Sequence, residues 1–118
     1  GILLWATMGG EGWLKLLEIP MFTFSDVGLP INSSDRSVWR FAQEKQLILL
    51  TGNRNSEGED SLEQTIRNEN TPSSLPVVTV SMVSRMEERA YREQCAERLV
   101  EIVLNIENYL GIGRVYIP

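Results

Sequence analysis

The sequence predicts an α/β domain built on a mainly parallel sheet, and three observations carry that expectation. The runs "LILLTG" and "LPVVTVS" are apolar without the in-and-out alternation of a half-exposed strand, which suits a sheet covered on both faces. Segments with helical spacing alternate with these runs, giving the order helix, strand, helix, strand, helix, strand, helix, strand. Finally, 118 residues with 42% hydrophobic and 23% charged side chains suit one domain, residues 1–118, with a real core.

Residues 2–18 place Leu3, Leu4, Ala6, Trp13, Leu14, Leu16 and Leu17 around a helix interrupted by glycines, which Pro20 stops. Met21, Phe22 and Phe24 form a short strand whose exit loop holds Asp26, Gly28 and Pro30. In "NSSDRSVWRFAQEKQ", Ser34 is a natural N-cap, Asp35 sits in the first turn, and Val38, Trp39, Phe41 and Ala42 lie along one side of a helix. "LILLTG" is then a central strand. Asp60, three residues before Glu63, gives a capping-box-like start to a short helix in which Leu62 and Ile66 lie four apart. After the strand "LPVVTVS", residues 84–110 carry Tyr91, Cys95, Leu99, Ile102, Ile106 and Tyr109 at helical spacing, with Gly111 placed to end the helix. Glu88 with Arg92 and Arg89 with Glu93 suggest a solvated outer face, and "GRVYIP" closes the chain as a strand. The three tryptophans, Trp5, Trp13 and Trp39, fall in helical segments.

Composition removes several kinds of function. Histidine is absent, so imidazole bases, Ser-His-Asp triads and His-ligated metals are excluded. Cys95 is the single cysteine, which rules out an intrachain disulfide framework and a cysteine zinc site and fits a core thiol in a cytoplasmic protein. A net charge of -5, with nine Arg to two Lys, argues against a general nucleic-acid binder and leaves room for a local Arg patch. The opening "GILLWATMGG" is too short and too glycine-broken for a spanning helix, so no membrane partner is expected. Because the chain begins at Gly1 rather than Met, a trimmed start is expected.

Ligands of parallel α/β sheets meet the chain just beyond the carboxyl ends of the strands. Two loops qualify there: "SDVGLPINSSD" offers Asp26 and Asp35, and "TGNRNSEGED" offers Thr51, Asn53, Arg54, Asn55, Glu57, Glu59 and Asp60. Converging carboxylates suit Mg²⁺ or Mn²⁺, hard cations that want oxygen ligands and can activate water for phosphodiester cleavage. The same side chains have structural uses, since Asp26 can brace a turn, Asp35 can complement a helix dipole and Asp60 can cap the next helix. Asn53 and Asn55 can ligate through amide oxygens but bring no charge, and Arg54 can meet a phosphate bidentately. Gly52 and Gly58 lack the spacing of a phosphate loop.

The stretches "FSDVGLP", "SDRSVW", "LLTGNRN", "DSLEQTIR", "TPSSLPVVTV" and "GRVYIP" together resemble the small PIN-like bacterial proteins, over about residues 20–118. The resemblance implies a three-layer α/β/α sandwich, many of whose members are metal-dependent ribonucleases with acids gathered at the ends of parallel strands. By that likeness Asp35 and Asp60 are the candidate catalytic acids. Asp35, Asn53 and Asn55 would be the Mg²⁺ or Mn²⁺ ligands, and Thr51 and Arg54 the contacts to RNA. Asn53 and Asn55 stand where the family usually has acids, which lowers the expected metal affinity. The likeness also implies that this chain lacks the first central strand and its Asp, an opening that invites an outside strand and hence a homodimer. The alternative expectation is a non-catalytic interaction or structural protein that self-associates. An acyl-carrier malonyltransferase activity, a label carried by some proteins of this type, is excluded by the absence of His.

Overall fold

The computed structural model describes residues 2–5 as backbone, together with Gly28, Pro30, 33–52 and 61–118. Among them run β1 (Ile2–Trp5), α1 (Asp35–Lys45), β2 (Leu47–Thr51), α2 (Leu62–Glu69), β3 (Val77–Val80), α3 (Arg89–Leu104) and β4 (Arg114–Ile117), with 3₁₀ turns at Val83–Glu87 and Ile106–Tyr109. The strands form one sheet in the order β1-β2-β3-β4, every pair parallel. The expected α/β class with its parallel sheet is therefore observed.

The first element corrects the sequence reading. Residues 2–5 are a strand rather than the start of a helix, with Ile2 opposite Leu47 and Trp5 opposite Leu50. A short apolar run is ambiguous by periodicity, and here the free backbone edge of β2 decides it by supplying a parallel partner. Trp5 accordingly lies in a strand and not in a helical segment. The expected continuation of that helix to residue 18 and the strand at Met21–Phe24 lie outside the described residues, as do Trp13 and Asp26.

β2 and β3 are buried at every position, as their unbroken apolar sequences require. Their alternate side chains feed two cores. Ile48, Leu50, Val78 and Val80 meet Met86, Tyr91, Cys95, Leu99 and Ile102 on the α3 face, while Leu47, Leu49 and Val77 meet Val38, Trp39, Ala42 and Leu62 on the α1/α2 face. The crossovers through α2 and α3 step the same way across the sheet yet pass over opposite faces, so they have opposite hands. One of them is of the uncommon left-handed kind.

The helix ends explain themselves chemically. Ser34 caps α1, its Oγ accepting from Ser37 N–H at 3.1 Å, as the sequence suggested. α2 is capped by Ser61, whose Oγ accepts from Gln64 N–H at 3.3 Å, and not by Asp60, because Ser61 directly precedes the first helical residue and Gln64 stands three beyond it. The expected helix over 84–110 divides into the 3₁₀ turn at Val83–Glu87, α3 and the turn at Ile106–Tyr109. α3 ends at Asn105, whose Nδ2 donates to Glu101 O at 3.0 Å, so Gly111 closes the later turn and not the helix. Ile106 and Tyr109 still pack on the core beyond that break, which is why the sequence pattern ran on past it. Arg89 pairs with Glu93 as expected, but Glu88 pairs with Arg85, and Arg92 donates to the carbonyls of Met86 and Glu87.

α1 is tied to its neighbours by polar contacts at several levels. Arg36 and Arg40 both hold Glu69 of α2, and the Gln43 amide both donates to Leu75 O at 2.9 Å and accepts from Leu75 N–H at 2.8 Å. The bond from Arg40, joined by that from Arg36, outweighs partial burial and holds the Glu69 carboxyl below its ordinary value of 4.5. A depressed folded pKa contributes stability above the unfolded pKa, and that contribution is lost as pH falls through the folded value. Glu69→Gln is therefore expected to cost about 0.5–1 kcal/mol at pH 7 and to shed that penalty once the pH is well below 4.5. Urea denaturation of both proteins at several pH values checks this, and a penalty independent of pH would contradict it.

Candidate functional site

β2 leaves its carboxyl end toward α2 on one face of the sheet, whereas β3 leaves toward α3 on the other. Strand ends whose following helices pack on opposite faces are the usual position for a ligand in an open α/β sheet. Thr51 and Thr79 lie opposite one another there in register, both fully buried. Thr79 Oγ1 accepts from Arg114 Nη1 at 2.8 Å, and Arg114 Nε lies 3.5 Å from Glu63 Oε2 in the first turn of α2. The Arg114 side chain is only 7% exposed, so a polar row of two threonines and a guanidinium crosses an otherwise aliphatic sheet. Thr79 and Glu63 supply the hydrogen bond and the charge partner that burying this guanidinium calls for.

Asp35 stands half-buried in the first turn of α1, at the same carboxyl edge of the sheet. Its Oδ2 accepts from Leu62 N–H at 3.1 Å, so the carboxylate satisfies one of the orphan donors that begin α2 and places negative charge at the positive end of that helix. Ser61 Oγ takes the Gln64 N–H of the same turn, and Thr65 Oγ1 donates to Ser61 O at 2.9 Å. Three side chains, those of Asp35, Ser61 and Thr65, thus hold the start of α2 beside the strand ends.

Of the residues singled out from the sequence, the structure brings Asp35 and Thr51 to the same carboxyl edge. Asn53, Arg54, Asn55 and Asp60 lie outside the described residues, together with Glu57, Gly58 and Glu59. Among the described residues no three His, Cys, Asp or Glu side chains converge as metal ligands. Sequence reading missed Thr79, Glu63 and Arg114. The signal available for them was a Thr inside an otherwise aliphatic strand and an Arg opening the last one, each at odds with a purely apolar face.

Cys95 is buried in the α3 core with its Sγ 3.8 Å from Met86 Sδ, and desolvation pushes its thiol up to about 11. It is a packing thiol, poorly ionised at neutral pH and so a weak nucleophile. Among the described residues no helix is long and apolar enough to cross a membrane. The chain matches no protein-family model, no curated protein and no solved structure in the three comparisons made with known proteins.

Proposed function

We propose that the chain is a PIN-like three-layer domain of metal-dependent ribonuclease type whose site is degenerate, so that it serves as a non-catalytic cytoplasmic protein. The observation that carries this reading is the bond from Leu62 N–H to Asp35 Oδ2, which employs the candidate acid as a clamp between α1 and α2. The amides of Asn53 and Asn55, standing where the resembled family has acids, support it from the sequence side. A Mg²⁺ or Mn²⁺ ion needs compensating negative charge from its ligands, and amide oxygens supply none. On this reading the ends of β2 and β3 carry what is left of the resembled family's site.

The test is incubation of a structured and an unstructured RNA with the parent protein and with Asp35→Asn, each with Mn²⁺ in large excess over the protein, since oxygen-ligand sites can be weak. The reading predicts intact RNA in every lane and no heat of Mn²⁺ binding by calorimetry. Cleavage by the parent that Asp35→Asn abolishes would overturn it and restore an active nuclease.

A further inference from the structure

We draw no further inference here: the strongest candidate, the buried Arg114 guanidinium on the α2 face of β4, belongs to the polar row already described at the strand ends, where Thr79 and Glu63 account for its placement.

Discussion

Leu50→Ala is expected to destabilise the fold by about 3 kcal/mol, within the range of about 2–5 kcal/mol found for large-to-small changes in a packed core. Leu50 is fully buried in β2, a strand flanked by β1 and β3, and its side chain enters the core beneath α3. Truncation removes apolar burial and leaves a cavity that neighbours pinned in three adjacent strands cannot collapse to fill. Leu104→Ala is the matched control, since Leu104 is 77% exposed at the end of α3 and its loss should stay within about 0.5 kcal/mol. Thermal melts followed by circular dichroism should separate the two by roughly 10 °C for a domain of this size. Equal melting temperatures would mean that β2 is not the buried strand described.

Gly111→Ala is expected to cost about 3 kcal/mol, far more than its small volume suggests. Gly111 has φ +80°, where any Cβ meets strain of about 1–2 kcal/mol, and a Cβ built there falls 2.8 Å from Pro72 O and 2.9 Å from Pro72 Cα. Those are backbone atoms, so relief requires moving the α2–β3 connection. That connection is fixed from the other side by Gly111 N–H donating to Ser74 O at 2.9 Å and by Asn70 Nδ2 donating to Gly111 O at 2.8 Å. Gly28 separates the two contributions, because its φ is +79° with nothing among the described residues within 4 Å of a built Cβ. Gly28→Ala should therefore show only the conformational strain, about 1–2 kcal/mol. Chemical denaturation of both variants checks this, and a Gly111→Ala penalty no larger than that of Gly28→Ala would contradict the close approach to Pro72.

Much of this architecture was legible because one local signal sufficed for each element. Ser34 before an amphipathic run specified α1, and unbroken aliphatic runs specified β2 and β3. Where two structures satisfy the same local pattern, the sequence alone misled. Ile2–Trp5 is apolar enough for a helix or a buried strand, and only its pairing with β2 selects the strand. The pattern of residues 84–110 is continuous although the backbone is not, because Ile106 and Tyr109 keep facing the same core after Asn105 ends α3. The site was legible as a location, since strand ends in a parallel sheet are identifiable from order alone. Its wiring was not. Nothing in the spacing of Asp35 and Leu62 reveals that the carboxylate reaches across to the next helix, and Arg114 meets Thr79 only through strand pairing.

The same wiring gives the central claim its direct test. If Asp35 is a clamp, what matters is an acceptor oxygen for Leu62 N–H, which Asn retains and Ala lacks. If Asp35 is a metal ligand, what matters is its charge, which both substitutions remove. The decisive measurement is the melting temperature of the parent, Asp35→Asn and Asp35→Ala, each with and without Mn²⁺. The clamp predicts a loss of about 1–2 kcal/mol for Asp35→Ala, a loss below about 0.5 kcal/mol for Asp35→Asn, and no Mn²⁺ effect in any of the three. A parent stabilised by Mn²⁺, with that stabilisation gone in Asp35→Asn, would contradict it.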